Sequence, residues 1–262
     1  MQWEDLTAPE FAKAVKKAKG VCVLPIGVIE KHGNHLPLGT DLFTARDLAK
    51  EAVKKEPAVI FPPYYLTQIL EAKPQPGTIA VKGRLMLDLL GEVCSEISRN
   101  GLKKILLYNG HGGNNSLLPF FCQLALEEER DYTLYYMNVW SGTENDREIA
   151  RISKDKYDGH AGESETSIMM TLRPGLVKLS ADVPSQGRPQ KGLEGLEPLQ
   201  NAIWWYAQVP HHYRGQARLG TLQKGKVYKD KYVAALVRAI GLVKKDKRAA
   251  KFTRKFFSKV NH

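Results

Sequence analysis

Apolar residues in this chain fall into short, nearly continuous runs, separated by longer stretches in which they recur every three or four positions. Val21 to Ile29 is β-rich and apolar without alternation, which predicts a strand covered on both faces. Ala58 to Phe61, ended by Pro62 and Pro63, and Lys103 to Tyr108 and Thr133 to Val139 read as further short strands. Between them Leu42 to Lys54, Arg84 to Asn100, Asn115 to Arg130 and Glu163 to Leu172 carry helical periodicity. Gly101 stands where a helix C-terminus favours glycine, and Pro174 stops the last helix. This alternation predicts right-handed βαβ units, hence an α/β fold with a mostly parallel β-sheet flanked by helices on both faces. The turn-rich stretch from 183 to 200 is too short and too embedded to link domains, and no repeat divides the chain, so residues 1 to 262 read as one domain.

At 43% hydrophobic residues, with glycine and proline spread along its length, the sequence is that of a globular chain without low-complexity tracts. No apolar run approaches the roughly 18 residues of a membrane span, and acids stand where a signal peptide needs a basic start, so a cytoplasmic protein is expected. Cys22, Cys94 and Cys122 are odd in number and embedded in apolar segments, which predicts buried thiols rather than disulfides or a thiolate zinc site. The net charge of +11 first suggests nucleic acid. Its distribution weakens that reading, because eight lysines and arginines crowd into residues 244 to 260. There Ala249, Phe252, Phe256 and Phe257 recur at helical spacing, which predicts an amphipathic terminal helix docked on the body. Neither a nucleic acid nor a membrane is the expected partner.

Ligand sites in parallel sheets form beyond the carboxyl ends of the strands. That is where the ionisable residues collect. GVIEKHGNHLPLGTD follows the first strand and supplies Glu30, His32 and Asp41, with His35 as a further candidate for a supporting role. NGHGGN, after the strand ending at Tyr108, places His111 among glycines. HAGESET brings His160, Glu163 and Glu165 to a helix start. Two or three imidazoles with three carboxylates suit Zn²⁺, Mn²⁺ or Fe²⁺, and one carboxylate can bridge two ions. Taken singly, Asp41 could be a helix N-cap and the two glutamates could serve a helix dipole. His211, His212 and His262 lie apart in sequence and read as structural or surface residues.

The order and spacing of these three segments resemble the creatininase family of metal-dependent amidohydrolases. PGTIAV at 76 to 81 and GQARLGTLQKG at 215 to 225 resemble two further family segments, so the likeness covers about the whole chain. The resemblance implies a sandwich-like α/β fold and two divalent ions per chain. It assigns Glu30, Asp41 and His111 to one ion and His32, the bridging Asp41 and Glu163 to the other. It also implies that a hydroxide between the ions attacks the carbonyl of a small, possibly cyclic, amide or formamide, with His160 carrying the proton to the leaving nitrogen. A ring-shaped homo-oligomer, commonly a hexamer, is implied as well.

The match departs from creatininase proper at Gly112 and Gly113, which stand where that enzyme has an aromatic residue and a ligating glutamate. It departs again at Ile69, Glu71, Ala72 and Gln75, in a loop expected to face the substrate. Both departures count against creatinine itself as the substrate. Carbon–nitrogen cleavage is the expected reaction, and carbon–carbon cleavage of a keto-cyclitol by the same chemistry is the nearest rival. A basic nucleic-acid-binding protein and a non-catalytic assembly protein are the rivals from other classes.

Overall fold

A computed structural model of the chain describes residues 1–143, 146–196, 199 and 201–260. Its centre is a parallel sheet in the order β2-β1-β3-β4, from β1 (Val21–Ile26), β2 (Val59–Ile60), β3 (Lys104–Asn109) and β4 (Thr133–Asn138). Because side chains alternate across a strand, the central strands feed two cores. Cys22, Leu24 and Ile26 of β1, with Ile105 and Leu107 of β3, pack against α1 (Ala8–Lys17), α3 (Gly83–Arg99) and α4 (Asn114–Leu124). Val21, Val23, Leu106 and Tyr108 pack on the other face against α2 (Thr40–Lys55) and α8 (Leu222–Lys245). Every β1 residue is buried, as its unbroken apolar run predicted, while the edge strand β4 is only half-buried. The remaining helices are α5 (Arg147–Ile152), α6 (Glu163–Leu172), α7 (Trp204–Gln208) and α9 (Arg248–Val260).

The structure differs from the sequence reading at four places. The first strand ends at Ile26, where a single parallel bridge to Tyr64, with the Gly27 amide donating to the Tyr64 carbonyl at 3.2 Å, closes the pairing. The helix read to Arg130 stops at Leu124, well short of the charged run 127–130. The longest helix, α8, was not anticipated, although Val233, Leu236, Ile240 and Val243 lie at the 3-4-3 spacing of a buried stripe. The terminal helix forms, but among its residues only Phe257 is buried; Phe252 and Phe256 stay exposed instead of docking. His262 lies outside the described residues. All three cysteines are free, with Cys22 and Cys94 buried. Among the described residues no helix is long and apolar enough to cross a membrane.

Candidate metal centre

The first turn of α2 is seated against the ends of β1 and β3, and two glycines make the fit possible. A Cβ at Gly27 would lie 2.3 Å from the Leu42 nitrogen, and one at Gly110 would lie 2.5 Å from the Asp41 carbonyl oxygen. Any larger residue at either place would push the helix off the strand ends. That seating carries Asp41 into the cluster. It is not an N-cap, since Gly39 holds that position, and its carboxylate is turned to two imidazoles instead.

The other ligand candidates are fixed as tightly. Glu30 and His32 lie in a closed loop, with the Glu30 amide on the Leu38 carbonyl at 3.0 Å and a bridge between His32 and Leu36. His111 is clamped by the last residue of β3: the Asn109 side chain donates to the His111 carbonyl at 2.7 Å and accepts from its amide at 3.1 Å. Asn114 ties the same turn to Thr67 at 3.0 Å. His160 is paired with Arg214 through both backbone groups, at 3.0 and 2.8 Å. The next residue, Ala161, takes a left-handed backbone at φ 55°, and its carbonyl accepts from His35 Nε2 at 2.9 Å. His35 therefore braces this corner, in keeping with its expected supporting role.

Within the cluster Asp41 divides its two oxygens. Oδ1 is 3.0 Å from His32 Nε2 and Oδ2 is 2.8 Å from His111 Nδ1. His111 Nδ1 is also 2.8 Å from Glu30 Oε1, and His32 Nε2 is 3.6 Å from Glu165 Oε2. Two groups of three converging ligand atoms result, Glu30–Asp41–His111 and His32–Asp41–Glu165, each with its atoms within 4.8 Å of one another. A third such group joins Glu30, His32 and His160. The donor set fits divalent cations better than it satisfies itself. Two carboxylates compete for the one position at His111 Nδ1, and Glu30 Oε1, although 2.8 Å from it, is buried without a hydrogen bond of its own. A cation at the meeting point would relieve that deficit.

The electrostatics are those of a cluster in which protons balance the carboxylates. Burial would depress the His32 pKa, but Asp41 and Glu165 outweigh it and push it up to about 10. Burial also opposes protonation of His111, and Glu30 and Asp41 again prevail, raising it well above the usual imidazole range. Burial would raise Glu30, yet His111 and His160 hold it well below the ordinary carboxylate value. Glu165 is pushed up to about 7, chiefly by burial. His160 goes the other way: burial and the neighbouring His32 drive its pKa well below normal, so it stays neutral.

Of the expected ligands, Glu30, His32, Asp41 and His111 are brought together, and Glu163 is not. Glu163 Oε2 accepts the amides of Lys154 at 2.8 Å and Asp155 at 2.7 Å, while Oε1 meets Lys224 Nζ at 2.5 Å. On a helix, residues two apart point to nearly opposite sides, so Glu163 and Glu165 cannot both face the cluster. Glu165 is the one that does, and it replaces Glu163 as the candidate ligand. His212 is a second correction, buried rather than peripheral: Trp205 donates its indole N–H to His212 Nδ1 at 3.1 Å, and His212 Nε2 meets Glu30 Oε2. Because an indole only donates, Nδ1 must be the acceptor, and the proton on Nε2 goes to Glu30. His212 stands three residues before the segment 215–225, and that nearness alone does not place it in the cluster.

Comparison with known proteins sets this geometry in a family. The family model described as creatininase, creatinine amidohydrolase, matches residues 4–240. The chain belongs to the creatininase family. Its members are metal-dependent amidohydrolases, and the chain is an enzyme of that kind. A creatinine amidohydrolase of Pseudomonas putida is 26% identical over 189 residues, covering 67% of this chain and 73% of that protein. The 3-dehydro-scyllo-inosose hydrolase of Thermotoga maritima is 25% identical over 242 residues, covering 86% of this chain and 77% of that protein. A solved mutant creatininase described as Zn-Zn type superposes with a TM-score of 0.78 at 23% identity, over 94% of this chain and 98% of the other. The single α/β unit with a parallel sheet and helices on both faces is thus the creatininase fold.

Proposed function

We propose that this enzyme holds two divalent ions, one on Glu30, Asp41 and His111 and the other on His32, Asp41 and Glu165, and cleaves the carbon–nitrogen bond of a small-molecule amide or formamide. The observation that carries the reading is Asp41, whose two oxygens face one imidazole of each ligand group. Divalent ions in such a pair lower the pKa of water toward neutrality and polarise a carbonyl. Zinc is favoured by the relative described as Zn-Zn type, and Mn²⁺ and Fe²⁺ suit the same donors.

The chain's own groups supply orientation and proton transfer. His212, held in one tautomer by Trp205, fixes Glu30 Oε2 and leaves Oε1 for an ion. His160 Nε2 donates to the Lys31 carbonyl at 2.8 Å, so Nδ1 keeps the lone pair. Neutral and facing the cavity, His160 takes the proton of the attacking water and returns it to the departing nitrogen. Carbon–carbon cleavage of a cyclic ketone is a second reading, supported by the inosose hydrolase relative. Exposed Leu242, Phe252, Phe256 and Val260 support self-association, for which a hexamer is our proposal. Buried free thiols agree with a cytoplasmic setting.

Elemental analysis of protein purified without added metal tests the site, alongside Glu165→Gln and Glu163→Gln. About two ions per chain are expected in the wild type, about one in Glu165→Gln, and the wild-type content in Glu163→Gln. A wild type that takes up neither Zn²⁺ nor Mn²⁺ overturns the reading, and loss of metal in Glu163→Gln alone restores that residue as the ligand.

A further inference from the structure

The ligand cluster forms the floor of a cavity of about 520 Å³, bordered by Glu30, Asp41, His111 and His160. That volume lies within the roughly 300–1,000 Å³ that encloses a drug-sized ligand, and a small polar lactam would leave most of it to water. Its walls are aromatic and come from separate parts of the chain. Trp140 follows β4, Trp204 and Trp205 open α7, and Tyr228 and Tyr232 stand one turn apart on α8. Trp204 and Trp205 meet edge to face at 5.4 Å, and Tyr228 and Tyr232 are stacked at 6.2 Å. The wall is anchored to the cluster, because the Trp205 indole is the donor that orients His212 on Glu30. The loop from 64 to 78 is tied to the same region, with Gln75 donating to the Pro210 carbonyl at 2.8 Å.

Charge narrows the ligand further. Among the described residues the lining holds no lysine or arginine, and beyond the proposed ligands it adds two carboxylates, Glu71 and Asp158. A phosphate or carboxylate on the ligand would find no cationic side chain there, whereas a neutral or cationic ring would meet aromatic faces.

We propose that this cavity takes amides bearing an aromatic ring or similarly bulky apolar group, neutral or cationic, with the amide at the ligand cluster and the ring against the Trp204–Trp205 wall. This rests on the metal-hydrolase reading and names the substrate class for the same site. Hydroxamates that share one metal-chelating group separate the two claims. Calorimetry on the zinc-loaded enzyme should give benzohydroxamate about tenfold tighter binding than acetohydroxamate, and 4-carboxybenzohydroxamate should lose that gain. Trp204 is 45% exposed, so Trp204→Ala leaves the core intact; it should shrink the preference severalfold, as should Tyr232→Leu. Equal affinity for the benzo and aceto compounds in the wild type overturns the substrate class alone. So does a preference undiminished in both variants. Failure of either hydroxamate to bind the metal-treated protein overturns the metal reading together with it.

Discussion

Asp41→Asn should empty both ion positions and lower hydrolysis at least about a thousandfold, the consequence of losing several kcal/mol of charge stabilisation. The size follows from geometry. Asp41 belongs to both three-residue groups, so one substitution removes an anionic ligand from each. The asparagine amide presents one weak acceptor and one donor where two anionic oxygens stood. Helix formation should survive, because the residue lies in the first turn of α2 behind Gly39 and its backbone role is unchanged. Elemental analysis and a circular dichroism melt, read together, distinguish metal loss from unfolding. Retention of both ions, with hydrolysis within about tenfold of wild type, would rule out Asp41 as the shared ligand.

The same cluster makes metal uptake a proton-releasing event. With its pKa near 10, metal-free His32 is protonated at neutral pH, as is His111, and each must lose its proton to become a ligand. Metal affinity should therefore fall as the pH is lowered. In Asp41→Asn, which should bind neither ion, mixing with Zn²⁺ should release no such protons.

What the sequence made legible divides along the period of each element. The strands were readable because an unbroken apolar run has no other stable place than between two helical layers, and Val21 to Ile26 has cores on both sides. His111 was readable because it lies two residues past β3, whereas Glu30, His32 and Asp41 lie in the loop and first helical turn beyond β1 and were readable only from the spacing of their segment. Glu163 and Glu165 were harder, since both sit in one helical turn and only the phase of α6 decides which faces inward. That phase is set by Lys224, more than fifty residues away, which meets Glu163 from α8. His212 was illegible for a related reason. Its contact with Glu30 spans 182 residues and depends on a left-handed backbone at φ 52° that the neighbouring sequence does not announce. The exposed face of α9 fails differently: its apolar spacing was read correctly, but amphipathicity predicts a buried stripe without saying which surface buries it.

His160→Ala should lower turnover by about 10²–10⁴, the range of a positioned general acid–base group, while both ions remain bound. The retained metal decides between two roles. His160 lies 3.8 Å from Glu30 Oε2 and stacks on His32 at 4.2 Å between ring centroids, close enough to be a ligand in the third group. As a ligand its removal would cost an ion; as a proton carrier it would cost rate alone. The hydrogen bond from Nε2 to Lys31 favours the second role, because it leaves Nδ1 the only basic nitrogen. Leaving-group dependence supplies a further readout. A 4-nitroanilide, whose leaving nitrogen carries negative charge more easily, should lose less rate in His160→Ala than an alkyl amide of the same acid, whose nitrogen depends more on the returned proton. Equal losses on both substrates would confine His160 to activating water. Turnover within about threefold of wild type on both would remove it from the proton path.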